Sequence, residues 1–107
     1  MKTVTLIGSG FSSLSAACYM AKNGYKVTLF EKNDTIGGRA RQFTEEGFTF
    51  DMGPTFYWMP DLIERFFNDF GKTSADYYDL IRLDPGYKIY FSEKEALSVS
   101  ADLTDIY

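Results

Sequence analysis

The chain has 107 residues, of which 45% are hydrophobic, 18% aromatic and 24% charged: a globular composition, but too short for two complete domains of roughly 100–200 residues each. A net charge of −4 without any basic block lacks the electrostatic footprint of a nucleic-acid binder. With Cys18 the sole cysteine and no histidine, an intrachain disulfide, a cysteine-based zinc site and imidazole acid–base chemistry are excluded within this stretch, which suits a reducing cytoplasm. Thr3-Val4-Thr5-Leu6-Ile7 is a short apolar, β-branched run, and its continuity predicts a strand buried on both faces, as in a parallel sheet. Gly8-Ser9-Gly10 interrupts the apolar run after Met1-Lys2, so no secretory signal is read there, and nothing approaches the ~18–20 apolar residues of a membrane span.

From Phe11 to Asn23 the spacing predicts a helix, with Leu14, Ala17, Cys18 and Ala21 on one stripe and Gly24 just past its end. Val27 to Phe30, ending at Glu31, reads as a second buried strand, so the first thirty residues form a βαβ unit. Asn33 to Gly38 is a turn cluster, and Gln42 to Phe50 a hairpin about Glu45-Glu46-Gly47 with Phe48 and Phe50 on one face. Pro60 opens a second helix whose apolar side is Leu62, Ile63, Phe66, Phe67 and Phe70, and Gly71 closes it. Strands are expected at Tyr87–Phe91, entered through the Asp84-Pro85-Gly86 turn, and at Leu97–Val99. Asp102 with Leu103, Ile106 and Tyr107 starts a helical pattern that lasts about one turn; since isolated turns are unstable, a truncated chain is expected.

The chemistry is concentrated around the first glycines. Gly8-Ser9-Gly10-Phe11-Ser12-Ser13 matches the dinucleotide fingerprint at its first two glycines and carries Ser13 in place of the third. Gly8 permits the tight turn out of the strand, and Gly10 lets the backbone approach a pyrophosphate at the helix N-terminus, where free N–H groups and the macrodipole favour an anion. Ser13, small and polar, is expected to loosen the helix–strand contact slightly. A glycine loop alone is weak evidence, since a plain strand–helix turn has the same composition. Glu31 strengthens it: the acid ends the second strand at the expected spacing of about 20 residues, can accept hydrogen bonds from ribose hydroxyls, and would repel a 2′-phosphate.

Gly37-Gly38-Arg39, followed by Phe48-Thr49-Phe50-Asp51-Met52-Gly53-Pro54-Thr55, resembles the glutathione-reductase-like flavoproteins of the amine oxidase and phytoene desaturase superfamily. Two glycines would let the backbone pass close to the cofactor, and the Arg39 guanidinium could pair with pyrophosphate oxygens. The stretch from Phe48 to Thr55, together with Leu83-Asp84-Pro85-Gly86-Tyr87-Lys88-Ile89-Tyr90-Phe91, is similar to the bacterial-type phytoene and carotenoid desaturases. The resemblance runs from Val4 to about Leu103 and implies FAD as cofactor. It gives a candidate cofactor set of Gly8, Ser9, Gly10, Phe11, Ser12, Ser13, Glu31, Lys32, Gly38, Arg39, Gly53, Pro54 and Thr55, the last three near the flavin ring.

The fold class expected is α/β: the N-terminal part of a Rossmann-like FAD-binding domain over residues 1–55, then the start of a mixed α+β substrate-binding domain over 56–107. The resemblance implies dehydrogenation of a carbon–carbon bond in a long polyene such as phytoene, with hydride passing to the flavin. No residue is assigned as a catalyst and no metal is expected. Phe56-Tyr57-Trp58 through Phe66-Phe67 reads first as core packing, with substrate lining and membrane docking as alternatives. The resemblance also implies a cytoplasmic enzyme peripheral to the inner face of the membrane. Two competing readings stay open here: an amine oxidase or protoporphyrinogen oxidase type of flavoenzyme, and a non-catalytic nucleotide-binding remnant. The isolated chain is expected to hold no flavin firmly and to show no turnover.

Overall fold

The computed structural model describes residues 1–53, 56–102 and 104. Strand β1 (Thr3–Ile7), helix α1 (Phe11–Lys22) and strand β2 (Lys26–Phe30) form the βαβ unit in the expected places. The two strands pair in parallel from Thr3 opposite Lys26 to Ile7 opposite Phe30. At the C-terminal end of α1, Gly24 N–H bonds the Ala21 carbonyl and Tyr25 N–H the Met20 carbonyl, the pattern a left-handed residue after the helix permits. Gly24 takes φ +79°, so the chain reverses directly into β2.

Only one face of this sheet is covered. Val4, Leu6, Val27 and Leu29 are half-buried, whereas the alternate side chains are exposed, Ile7 at 88% and Phe30 at 61%. The expectation of strands buried on both faces therefore fails among the described residues. Contacts to α1 explain the protected positions, and a period of two sends every other side chain away from that helix. On α1 itself the half-buried positions include Leu14, Ala16, Ala17 and Tyr19, while Cys18 and Ala21 are exposed. No hydrophobic residue is fully buried among the described residues.

After β2 the chain makes a 3-10 turn over Gly38–Ala40 and enters the antiparallel pair β3 (Gln42–Glu45) and β4 (Phe48–Asp51). Glu45 pairs with Phe48, leaving a two-residue loop in which Glu46 (φ +50°) and Gly47 (φ +84°) are both left-handed, the type I′ geometry that suits strand twist. Phe43 and Phe50 lie opposite each other with rings stacked at 5.0 Å. Helix α2 (Pro60–Asp69) opens on Pro60 and ends at Gly71, with Lys72 N–H reaching back to the Phe67 carbonyl at 3.0 Å. Phe56, Trp58 and Met59 before it are 62%, 67% and 57% exposed, so this stretch does not pack as core.

The chain divides into two compact units, Met1–Phe66 and Phe67–Tyr107, with the division inside α2. The second holds a 3-10 turn at Ser74–Asp76, stacked rings of Phe67 and Tyr77 at 4.9 Å, and the antiparallel pair β5 (Tyr87–Tyr90) and β6 (Ala96–Val99). Asp102 accepts hydrogen bonds from the N–H and hydroxyl of Thr104. The helical pattern expected at Leu103, Ile106 and Tyr107 lies outside the described residues.

Candidate functional site

The site is built where β1 ends. Gly8, at φ +92°, donates its N–H to the Phe30 carbonyl at 2.7 Å, so the glycine loop begins as the last rung of the parallel ladder. Gly10 caps α1 without a side-chain hydrogen bond, and the first intrahelical bond is donated by Leu14 to the Gly10 carbonyl at 3.0 Å. The N–H groups of Phe11, Ser12 and Ser13 consequently have no partner within the helix, which favours an anion in front of them. A Cβ placed on Gly10 would meet nothing within 4 Å. That open space in front of a bare helix end fits a pyrophosphate. Phe11 and Ser12 are exposed and Ser13 is half-buried.

Ser9 is fully buried, at 0% exposure, and is the sole buried residue among those described. Its N–H and Oγ–H both donate to Glu31 Oε2, at 2.8 and 2.6 Å. The N–H and side-chain amide of Asn33 donate to Glu31 Oε1, at 2.9 and 2.5 Å. These bonds, the Ser9 hydroxyl first, hold the Glu31 carboxyl down at about pKa 2. Glu31 is thus an anion over any ordinary pH range, placed beside the loop and suited to accept hydroxyl donors.

The Gly37-Gly38-Arg39 segment folds against the same loop. Gly37 N–H donates to the Ser9 carbonyl at 2.9 Å, and a Cβ on Gly38 would lie 3.0 Å from Gly10 Cα. A Cβ on Gly53 would lie 2.6 Å from the Arg39 carbonyl oxygen. The glycine loop, the 3-10 turn and the segment after β4 are therefore stacked backbone to backbone. Besides the cofactor role that the sequence suggests for them, Gly38 and Gly53 have a packing role, because Gly38 leaves room for Gly10 and Gly53 for the Arg39 carbonyl. Arg39 is exposed, while the half-buried Arg41 donates its Nε–H to the Gly38 carbonyl at 2.9 Å. Arg41 lines an open cleft of about 820 Å³ with Lys32, Asn33, Asp34, Thr35 and Phe43, among others.

Gly8, Ser9, Gly10, Glu31, Gly38 and Gly53 are thereby drawn into one tied cluster, and Lys32 sits on the adjoining cleft. Pro54 and Thr55 lie outside the described residues. Sequence reasoning missed Asn33 and Arg41. Asn33 had a usable signal, because a carboxamide two residues after an acid readily makes a local side-chain hydrogen bond. Arg41 had none beyond its nearness to Arg39.

A strand, a glycine loop capping a helix, a parallel second strand and a terminal acid compose a dinucleotide-binding βαβ unit. The model of the NAD(P)-binding Rossmann-like domain family matches residues 6–70. The chain belongs to that family. Membership in this Rossmann-like family implies a dinucleotide cofactor. The chain is also 54% identical to a carotenoid 3,4-desaturase of Haloarcula japonica over 92% of its own length and 20% of that protein's. It is 45% identical to a 4,4′-diapophytoene desaturase of Staphylococcus haemolyticus over 96% of its length and 21% of the relative's. The corresponding enzyme of Staphylococcus aureus is 42% identical, with coverage of 96% and 20%. The chain spans about a fifth of the length of the curated relatives it matches. An oxidoreductase of known crystal structure from Methanosarcina mazei aligns over 51% of this chain and 13% of its own, at 34% identity and a TM-score of 0.46.

Proposed function

We propose that this chain holds the ADP end of an FAD in an oxidoreductase that desaturates carotenoid precursors such as phytoene. The observation that carries the reading is the ionised Glu31 carboxylate, anchored to the glycine loop at the end of β2 in a chain 54% identical to a carotenoid desaturase. Gly8, Ser9, Gly10 and the first-turn N–H groups of Phe11, Ser12 and Ser13 take the pyrophosphate. Glu31 accepts the adenosine ribose hydroxyls, and Lys32 lies on the adenosine side. Gly38 and Arg39 support the pyrophosphate, and Gly53, Pro54 and Thr55 lead toward the flavin ring. When bound, the flavin supplies the hydride acceptor for carbon–carbon dehydrogenation.

Residues 1–55 make the cofactor part in this reading, and 56–107 begin the substrate-binding domain. Its substrate is a hydrophobic polyene. Such a hydrocarbon dissolves in the bilayer, which would bring the full-length enzyme to the cytoplasmic membrane face. No helix among the described residues is long and apolar enough to cross a membrane.

The test is to purify the full-length polypeptide carrying this segment, record its visible spectrum and titrate flavin into the stripped protein. A stoichiometric yellow flavin band is expected, together with a longer-wavelength polyene product after incubation with phytoene in liposomes. Glu31→Gln should raise the FAD dissociation constant roughly 10- to 100-fold, the worth of a charge-assisted hydrogen bond. Purification with a nicotinamide dinucleotide and no flavin would overturn the FAD assignment.

A further inference from the structure

A carboxylate offers about four lone-pair positions. At Glu31 the chain itself fills all four, with the Ser9 N–H and hydroxyl on Oε2 and the Asn33 N–H and side-chain amide on Oε1. A ribose diol therefore has no vacant acceptor unless one of these donors leaves. The two backbone donors are fixed by the loops that carry them. The two side-chain donors differ in accessibility: Ser9 is fully buried, whereas Asn33 is half-buried and also lines the open cleft.

From this asymmetry we propose that Ser9 is a permanent positioning residue for Glu31, and that the Asn33 carboxamide is a placeholder which a ribose hydroxyl displaces on binding. The inference rests on the ribose role given to Glu31 above. The Ser9 hydroxyl cannot be exchanged without opening the loop, because no solvent reaches it and Gly37 N–H holds the Ser9 carbonyl from the other side. The Asn33 amide can turn into the cleft, where water replaces its lost acceptor. One device thus keeps the acid ionised and oriented at the phosphate loop, while the other shields its outer oxygen until a diol arrives.

The two side chains then have opposite effects on affinity. In the full-length protein, stripped and titrated with FAD by flavin fluorescence, Ser9→Ala should weaken binding about tenfold, because the carboxylate loses its only buried side-chain donor. Asn33→Ala should tighten binding about threefold, because nothing has to be displaced. Unchanged affinity in Ser9→Ala, or weakening in Asn33→Ala, overturns the proposal. Should Ser9→Ala fail to fold, the wild-type protein still decides through hydrogen exchange of the ¹⁵N-labelled Asn33 carboxamide. Its protons should be protected without ligand and lose protection when ADP-ribose is added, and protection that survives binding sinks the placeholder. Glu31→Gln in the same titration separates the two ideas: FAD affinity unchanged by that substitution rejects the ribose role itself.

Discussion

The two compact units of this chain are organised by different physics. In Met1–Phe66, groups far apart in sequence are tied together: Gly8 to Phe30, Ser9 to Glu31 and Gly37, Gly38 against Gly10, and Gly53 against Arg39. In Phe67–Tyr107, order is mostly local, with a capped 3-10 turn at Thr73, rings stacked ten residues apart, and a hairpin whose strand positions are nearly all exposed. Neither unit fully buries a hydrophobic side chain among the described residues. The difference shows that the glycine loop is held by polar and backbone contacts although no hydrophobic residue among those described is fully buried. It also locates where substitutions should be costly.

Glycine-to-alanine changes break the comparison most sharply. At Gly53 the new Cβ would stand 2.6 Å from the Arg39 carbonyl oxygen, with backbone on both sides, so the stack must open. A loss of about 2–3 kcal/mol is expected from such overpacking. At Gly38 the cost is about 1–2 kcal/mol, because the residue holds φ +62° and its Cβ would meet Gly10 Cα. Gly86, in the second unit, is the control: its nearest neighbour would be the Val99 carbonyl oxygen at 3.8 Å, and alanine there should change stability by less than about 0.5 kcal/mol. Urea denaturation midpoints of the three variants check the order, and a Gly86 effect as large as that of Gly53 would contradict the contrast between the units.

How much of this could be read beforehand follows from the range of each interaction. The βαβ unit, both helix ends and the β3–β4 turn were legible, because β-branched runs, Gly24, Gly71 and Glu46-Gly47 act on their immediate neighbours. Glu31 was legible as an acid at the right spacing. Its partners were only half so: Asn33 is local, but the burial of Ser9 depends on the loops folded around it. The packing roles of Gly38 and Gly53 were not legible for the same reason, since the surfaces they meet lie 28 residues back at Gly10 and 14 residues back at Arg39. Burial of Thr3, Thr5, Ile7 and Phe30 was inferred from apolar continuity alone, and the structure supplies α1 on one side only.

A smaller effect is expected at the first hairpin. Glu46 occupies a left-handed position, φ +50°, that asparagine or glycine tolerates better. Glu46→Asn should stabilise the β3–β4 pair by about 0.5–1 kcal/mol, read as a raised melting temperature. Because the hairpin's strand positions are exposed and a Cβ on Gly47 in its loop would meet nothing within 4 Å, FAD affinity should not follow. A parallel rise in affinity would mean that hairpin and glycine loop are coupled more tightly than these contacts indicate.

The smallest effect is electrostatic. Glu31 titrates at about 2 in the fold, against an ordinary value of 4.5, so folding favours its ionised form. A depressed carboxyl pKa contributes stability above the unfolded value and loses it as pH falls through the folded one. The window is therefore pH 4.5 down to about 2, and solvent screening around a half-buried group keeps the effect small. Ser9→Ala removes the largest cause of the depression, so the folded pKa should rise toward the ordinary value and the window should narrow from its acidic end. Carboxyl ¹³C shifts of labelled glutamate across that range would follow Glu31 directly. An unchanged titration in the variant would assign the depression to the backbone donors and Asn33 instead, and the first unit would then owe the charge of its acid to the Ser9 and Asn33 N–H groups and the Asn33 carboxamide.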